Sequence, residues 1–368
     1  MACSGLIALF LPSLAMGGAE LCCLRLAAGL SRAGCKVELW LARGGGELEP
    51  RLPSGVRVRL LGNGRTLKAL PALVNSLRRL RPSALLAAMN HANLVAILAW
   101  MAAGVATRLV VSEHTSLGFR YGSLGCWQRR GWLPWLARWL YPRAHTVVAV
   151  SPEVAHDLVT RVKLPPQKVK VLANPVLPRE VDELGRQPVE HPWLASPAGP
   201  VLLGLGRLSA EKDFATAIRA LADLPESVRL LILGEGPERP ALEALTADLQ
   251  LGQRVSLPGR VDNPFAYLTR AQVCVVPSRV EGLPGAVIEA LACATPVVAS
   301  DCPGASARLL GWGTYGQLFE VGNSGQLARA VRASLQAPCP PPPAQHLAPY
   351  WCDQACAAYQ DLLLGSGA

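Results

Sequence analysis

The sequence lacks several features that would place it in a particular class at once. No apolar run reaches the roughly 18 residues that a bilayer-spanning helix needs, so no membrane span is predicted. The 11 cysteines show no metal-ligand spacing, because Cys352 and Cys356 stand one helical turn apart without a second pair. They are expected to be buried thiols of a reduced, cytosolic protein. No basic residue precedes the apolar stretch 6–11, which predicts a first strand rather than a secretory signal.

Charged and aromatic residues are also scarce. They make up 17% and 5% of the 368 residues, against 51% for hydrophobic residues. This is the composition of a globular chain with a large core, and the length suits two domains of ordinary size. No recognition module that interleaves aromatic and basic residues for nucleic acid is present, so no nucleic-acid partner is expected.

The charge that is present is unevenly distributed. The formal net charge is +10, and residues 1–180 hold 23 of the 36 Lys and Arg but 8 of the 26 Asp and Glu. The rest of the chain is therefore acidic on balance. A strongly basic half predicts contact with an anionic surface or ligand, and an anionic membrane is the better candidate.

Apolar strands alternate with helices along both halves of the chain, which predicts parallel sheets with helical connections. Strands are predicted at 6–11, 37–42, 56–61, 84–89, 108–112, 146–150, 170–173, 201–205, 229–233, 255–257, 273–276 and 296–300. Five prolines between 175 and 199 mark a linker. We therefore expect an α/β protein with one domain over 1–178, a linker over 179–199, a second domain over 200–338 and a proline-rich connection over 339–345.

The second half is organised around residues 277–301, which read as strand, loop, helix and strand. Glu281 lies in the loop and Glu289 in the helix, with seven residues between them. The turn Gly282-Leu283-Pro284-Gly285 opens the helix and offers backbone N–H groups to a phosphate. The two carboxylates would repel a phosphate and are better suited to accept hydrogen bonds from sugar and ribose hydroxyls.

This stretch resembles the E-x7-E signature of the family 4 retaining glycosyltransferases. That family has the GT-B fold, in which two Rossmann-like domains face each other across a cleft and the last helix returns to the first domain. The resemblance implies such a return for residues 346–368. It also implies that Glu281 holds the donor sugar and that Glu289 holds the ribose of the nucleotide, with residues 282–285 lining the donor site.

A second group of residues follows the first strand of the second half. Gly206 and Arg207, with Lys212 five residues later, resemble the G-R-x4-K element of the family. There the two cations hold the donor diphosphate. A nucleotide diphosphate gains negative charge as it leaves, so two cations stabilise the transition state without a metal. The alternative is ordinary surface charge.

Two further turns resemble donor-site elements of the family. Gly234 begins a G-x-G-P turn after one strand, although such turns are common in themselves. Arg260 and Val261 end another strand, where family members contact the nucleobase through backbone atoms. Arg308 stands about where the family often has a glutamate, which leaves the sugar specificity open.

The first half carries the acceptor-side candidates. Gly17 and Gly18 resemble the family's glycine-rich turn before the first helix, where a ligand can approach the backbone, or they form only a tight turn. His114, in a Ser-Glu-His element, is expected near the transferred sugar, although a lone histidine is often structural. His91 is similarly placed at a strand end. Asn174-Pro175 predicts a turn.

The segment 119–143 is rich in tryptophan and arginine. Trp132, Trp135 and Trp139 recur at helical spacing, and Trp127, Arg129 and Arg130 precede them. Indole rings and guanidinium groups suit the headgroup layer of a membrane, which is the interpretation we prefer. The alternative is an aromatic stripe that faces the core.

The resemblance implies a retaining hexosyl- or N-acetylhexosaminyltransferase with a nucleotide-diphosphate donor, expected to be a UDP-sugar. The expected acceptor is a polysaccharide or a glycan on a polyprenyl lipid, at the cytoplasmic face of the membrane, where the protein would bind peripherally. No cofactor and no metal are expected. The alternatives are a soluble acceptor, a sugar-phosphate-forming enzyme, or an inactive scaffold that binds nucleotide sugars.

Overall fold

The structure is a computed structural model that describes residues 5–121, 131–195 and 198–365. The chain divides into two compact units, unit 1 with residues 1–176 and 349–368 and unit 2 with residues 177–348. Each unit contains one parallel β-sheet with helical connections, so the predicted α/β class is confirmed. Within the described ranges, no helix is both long and apolar enough to cross a bilayer.

Unit 1 contains a seven-stranded parallel sheet. Its strands are β1 (Leu6–Leu11), β2 (Lys36–Leu41), β3 (Arg57–Leu60), β4 (Ala84–Ala88), β5 (Arg108–Glu113), β6 (Thr146–Ala149) and β7 (Val169–Val171). They are ordered β3-β2-β1-β4-β5-β6-β7. The central strands are buried on both faces, which explains why they read as continuous apolar runs. The strand order reverses between β1 and β4, where open α/β sheets bind ligands at their carboxyl edge.

The helices between these strands begin and end largely as local sequence dictates. They are α1 (Gly18–Arg32), α2 (Leu70–Leu80), α3 (Asn90–Ala103), α4 (Leu117–Tyr121), α5 (Leu133–Leu140) and α6 (Pro152–Thr160). Helix α6 begins with a capping serine, because the Ser151 hydroxyl accepts a hydrogen bond from the Val154 N–H at 3.2 Å. Helix α3 begins at Asn90 and takes His91 into its first turn.

Unit 2 contains a six-stranded parallel sheet. Its strands are β8 (Val201–Leu205), β9 (Arg229–Leu233), β10 (Val255–Gly259), β11 (Val273–Val276), β12 (Val297–Ser300) and β13 (Gln317–Phe319), in the order β10-β9-β8-β11-β12-β13. Its helices are α7 (Val181–Arg186), α8 (Pro192–Ala195), α9 (Phe214–Ala222), α10 (Arg239–Asp248), α11 (Pro264–Leu268), α12 (Gly285–Ala292), α13 (Ser306–Leu309), α14 (Ser324–Gln336) and α15 (Ala344–Leu347). Here the strand order reverses between β8 and β11.

The predicted linker 179–199 contains the two short helices α7 and α8. Val181 and Leu194 are buried, and the Asn263 amide donates a hydrogen bond to the Leu184 carbonyl at 2.8 Å. The apolar residues scattered among the prolines therefore pack within unit 2, to which this segment belongs.

The last helix, α16 (Cys352–Leu364), belongs to unit 1, as the resemblance implies. It packs on α1, and Tyr359, Leu362 and Leu363 join the main apolar core of that unit. The approach is close, because a Cβ added at Gly29 would lie 2.3 Å from the Cys356 sulfur. The absence of a side chain at Gly29 therefore allows α16 to pack this closely on α1.

Candidate functional site

The candidate donor residues of unit 2 follow neighbouring strands. Parallel pairing of β8 with β11 brings the loop after β8, residues 206–213, beside the loop after β11, residues 277–284. Both loops lie at the carboxyl edge, where the strand order reverses. The sequence places its candidate residues in these loops without showing that they touch.

Lys212 and Glu281 come into direct contact at this edge. The Lys212 Nζ lies 2.5 Å from the Glu281 Oε1, and the Ser278 hydroxyl donates to the same oxygen at 2.6 Å. Glu281 is 8% exposed, and Lys212 is partly exposed. Among the described residues, Oε2 of Glu281 has no hydrogen-bond partner, so one carboxylate oxygen is fixed by the protein and the other is available to a ligand hydroxyl.

A second ion pair joins the same two loops and was not predicted. The Arg279 Nη2 lies 2.9 Å from Oδ2 of the buried Asp213, and the Arg279 N–H donates to the Glu211 carbonyl at 2.8 Å. Asp213 has φ of 48°, in the left-handed region that residues other than glycine rarely adopt, Asn and Asp more often than the rest. An acidic residue directly after Lys212 was the available signal, but its partner is 66 residues away in sequence.

Arg207 is exposed at the carboxyl end of β8, and among the described residues its side chain has no hydrogen bond or ion pair. The backbone beside it approaches the next loop closely. Gly234 has φ of 154°, and a Cβ there would lie 1.9 Å from the Gly206 carbonyl oxygen. Glycine is therefore required at Gly234, where the backbones of the two loops meet.

The helix that carries Glu289 begins as the sequence predicts. Pro284 is the N-cap of α12 and Gly285 is its first residue, while Gly282 is buried and Leu283 half-buried in the preceding turn. Glu289 lies one helical turn further along and is half-buried. Glu281 therefore lies in the loop after β11, and Glu289 lies in the helix that follows this loop.

The remaining unit 2 candidates lie outside this pair of loops in the sequence. Arg260 is exposed and Val261 half-buried directly after β10, the strand at the end of the sheet. Arg308 lies in the short helix α13 and is half-buried.

The acceptor-side candidates of unit 1 lie at its own reversal of strand order. Gly17 is the N-cap of α1, and Gly18, its first residue, is exposed and would admit a Cβ freely. His91, in the first turn of α3, lies 2.5 Å from the Asn90 side-chain oxygen. These residues follow β1 and β4, the two central strands.

His114 follows β5 and is held by its neighbours. Its Nε2 lies 3.2 Å from the Ser112 hydroxyl, and its Nδ1 lies 3.3 Å from the Asn174 side-chain nitrogen. Burial lowers the pKa of His114 to about 4, so the imidazole is neutral at pH 7. The amide of Asn174 donates to Nδ1, which leaves the ring proton on Nε2. A neutral imidazole bonded on both sides is a hydrogen-bonding group rather than a general base.

The tryptophans of α5 lie on the surface. Trp132, Trp135 and Trp139 are 43%, 62% and 55% exposed, whereas Leu133 and Ala137 are buried. The alternative of a core-facing aromatic stripe is therefore wrong: the aliphatic residues hold the helix and the indoles point outward. Trp127, Arg129 and Arg130 lie outside the described residues.

In the part of the chain that the structure describes, no group of three or more His, Cys, Asp or Glu is arranged to hold a metal ion. Metal independence remains a prediction.

Two sequence models of glycosyltransferases match most of the chain. The one described as Glycosyltransferase Family 4 matches residues 16–179, and the one described as Glycosyl transferases group 1 matches residues 199–337. The two matches together cover the greater part of both units.

Individual relatives agree with these matches. The chain is 28% identical over 250 residues to a Campylobacter jejuni N-acetylgalactosamine-N,N'-diacetylbacillosaminyl-diphospho-undecaprenol 4-alpha-N-acetylgalactosaminyltransferase, covering 67% of this chain and 66% of that protein. It is 32% identical over 143 residues to the Rhizobium meliloti lipopolysaccharide core biosynthesis glycosyltransferase LpsD, covering 39% of this chain and 40% of that protein. The matched part of the chain thus spans 66% of the length of the first relative and 40% of the length of the second.

The fold has close counterparts among solved structures. Anabaena Alr3699/HepE, solved in complex with UDP and glucose, superposes with a TM-score of 0.75 at 20% identity, covering 98% of both chains. The chain described here is therefore a member of the family 4 glycosyltransferases and has their GT-B fold.

Proposed function

We propose that this protein is a retaining glycosyltransferase that moves a hexosyl or N-acetylhexosaminyl group from a UDP-linked donor to a lipid-linked or polysaccharide acceptor at the cytoplasmic face of a membrane. The contact between Lys212 and Glu281, beside the exposed Arg207, carries this proposal. Transfer requires cations for the leaving diphosphate and a carboxylate for the sugar hydroxyls, and these three residues supply both.

The proposed reaction is a front-side displacement. The acceptor hydroxyl oxygen bonds to the anomeric carbon on the face from which the diphosphate oxygen departs, and that departing oxygen takes the hydroxyl proton. The products are UDP and a glycoside with the original anomeric configuration. Arg207 and Lys212 stabilise the growing charge without a metal, and neutral His114, held by Ser112 and Asn174, lies near the sugar.

A lipid-linked acceptor is supported by two observations. The Campylobacter relative carries diphospho-undecaprenol in its name, and the α5 tryptophans are exposed. Exposed indoles beside a basic half favour peripheral binding to an anionic membrane. A soluble acceptor is the second candidate, and it would leave these tryptophans without a partner.

The test is release of nucleoside diphosphate from a panel of nucleotide sugars, with and without polyprenyl-diphosphate-linked glycans. We expect release that depends on a UDP-sugar and is stimulated by the lipid-linked acceptor. Stimulation by soluble sugars alone would favour the second candidate. Binding of UDP without release from any donor, with any acceptor, would make the protein a nucleotide-sugar-binding scaffold.

A further inference from the structure

A buried carboxylate lies directly beside His114. Glu113 ends β5 and is 1% exposed. Its Oε1 accepts hydrogen bonds from the His114 N–H at 3.2 Å and from the Thr115 hydroxyl at 3.1 Å, and its Oε2 accepts one from the Tyr141 hydroxyl at 2.8 Å. Both oxygens are therefore satisfied, as a buried carboxylate requires.

The network continues from Tyr141 to the backbone on the other side of Glu113. Tyr141 follows the last residue of α5 and is fully buried. Its oxygen accepts a hydrogen bond from the Asn93 amide at 3.2 Å, and the same amide nitrogen donates to the Ser112 carbonyl at 2.9 Å. The backbone is thus held at Ser112 and at His114, on both sides of Glu113.

Stability alone does not account for this arrangement. Well-packed apolar residues in place of a buried polar network are often neutral or stabilising, because the charge no longer has to be desolvated. An apolar residue at Glu113 would leave the His114 N–H and the Thr115 hydroxyl without their acceptor. What the carboxylate specifically provides is one fixed conformation of the loop that carries His114.

We propose that Glu113 and Tyr141 are positioning residues that fix His114 in the geometry needed for sugar transfer. This inference rests on the proposed function, because it assigns His114 to the transferred sugar. Neither residue contacts substrate. Each acts through the backbone of residues 112–115.

The protonation state of Glu113 gives the proposal a separate signature. Burial raises the pKa of Glu113 to about 7, and its hydrogen bonds, that from Tyr141 first, oppose the shift. The titratable groups that face it are Tyr141, from the turn after α5, and His114 on its own loop. All its neighbours donate, so the ionised form fits the network and protonation disturbs it. Glu113→Gln should therefore resemble the wild type at low pH.

The experiment compares Glu113→Gln and Tyr141→Phe with two controls, Glu226→Gln for an exposed carboxylate and Tyr267→Phe for a tyrosine of unit 2. A displaced His114 loop is expected to lower kcat about ten- to hundredfold. The affinity for UDP should stay within about twofold, because the donor residues lie in unit 2. The double variant should be no worse than Glu113→Gln alone, since both belong to one network. The acid limb of the wild-type kcat profile near pH 7 should be absent in Glu113→Gln.

Two results would overturn the proposal. One is a kcat for both variants equal to that of the controls, with only the melting temperature lowered. The other is additive losses in the double variant. If wild-type protein transfers no sugar, the proposed function fails, but the positioning claim is still tested by NMR of ¹⁵N-labelled histidine. Unchanged His114 ring resonances in Glu113→Gln would then refute it.

Discussion

Lys212 has one partner in the protein and one in the proposed substrate, so its removal has two effects. Lys212→Ala leaves the nearly buried Glu281 without its cation. It also removes the positive charge that is proposed to stabilise the leaving diphosphate. We expect turnover to fall about a hundred- to a thousandfold, or roughly 3–4 kcal/mol. Arg207→Ala should give a similar loss without a change in melting temperature, because Arg207 is exposed.

Arg219, exposed on α9 in the same unit, supplies the control variant Arg219→Ala, which should turn over like the wild type. Near-wild-type turnover in both the Lys212 and the Arg207 variants would contradict the diphosphate assignment.

The two glutamates of the 277–301 segment should fail in different ways. Glu281→Gln keeps the shape of the side chain but loses the charge that faces Lys212, so transfer should fall while UDP still binds. Glu289→Ala should weaken UDP binding, because Glu289 lies a helical turn beyond the loop, at the proposed ribose position. Calorimetric titration of UDP into both variants checks this division. An equal loss of affinity in the two would show that the roles are not separate.

Glu113 and His114 also make opposite contributions to the pH dependence of stability. The pKa of Glu113 is about 7 in the fold against an ordinary 4.5, so native Glu113 holds a proton that the unfolded chain has lost. Its contribution to the unfolding free energy therefore falls as the pH rises from 4.5 to 7. His114, with a pKa of about 4 against 6.5, makes a contribution that rises between pH 4 and 6.5.

Glu113→Gln removes only the first of these contributions. The stability of this variant relative to the wild type should therefore rise between pH 4.5 and 7, by up to about 3 kcal/mol, and then level off. Urea denaturation at a series of pH values measures the difference. A difference that does not change with pH would mean that Glu113 titrates normally.

At the scale of the element, α5 presents a testable surface. Leu133 and Ala137 anchor it, so Trp135→Ala with Trp139→Ala should leave the melting temperature unchanged. Wild-type protein should sediment with anionic vesicles. Added salt should weaken this binding without abolishing it, because salt screens Coulombic attraction but not the insertion of indole rings. The double variant should lose the salt-resistant part.

Trp312→Ala serves as the control for α5, because Trp312 is 75% exposed but lies in unit 2. Vesicle binding that survives in the double variant would remove α5 from the membrane interpretation. Wild-type protein that ignores anionic vesicles at low salt would remove the interpretation itself.

Elements differed in how well the sequence predicted them. Long apolar strands such as β1 and β8 were placed correctly, because buried parallel strands read as continuous apolar runs. The three-residue β13 was missed, since it is too short to show a pattern of its own. The helices α7 and α8 were hidden by prolines, which suggest a linker even though Val181 and Leu194 between them are buried.

In the candidate site too, local features were predictable from the sequence, whereas contacts between distant residues were not. Motif spacing predicted which loops carry Lys212, Glu281 and Glu289, because each follows a recognisable strand. The Lys212–Glu281 contact and the Asp213–Arg279 pair depend on β8 lying beside β11 in the sheet, which no local pattern specifies. Glu113 is recognisable in the sequence only as part of the Ser-Glu-His element, because nothing local to it reveals that Tyr141 reaches its carboxylate.

At the scale of the whole molecule, the close packing of α16 on α1 predicts a sensitive position. Gly29→Ala would place a Cβ 2.3 Å from the Cys356 sulfur, so one helix must shift. Overpacking of this kind typically costs about 1–3 kcal/mol. We expect a lower melting temperature for unit 1, measured from the near-ultraviolet circular dichroism signal during heating. Gly18→Ala, on the same helix but in open space, should not lower it. Gly29→Ala combined with Cys356→Ala should recover part of the loss, and no recovery would place the strain elsewhere.

The return of α16 also sets an order of events at the ribosome. Unit 2 is one continuous piece of chain, so it can close on itself during synthesis, whereas the first 176 residues emerge without Tyr359, Leu362 and Leu363. Until the last helix is released, the apolar groove on α1 that these residues fill is open to water and to chaperones. Nascent chains whose part outside the ribosome ends between residues 348 and 352 should therefore protect unit 2 from proteolysis but not α1, and release of residues 352–364 should restore that protection. Unit 1 is therefore begun before unit 2 and completed after it.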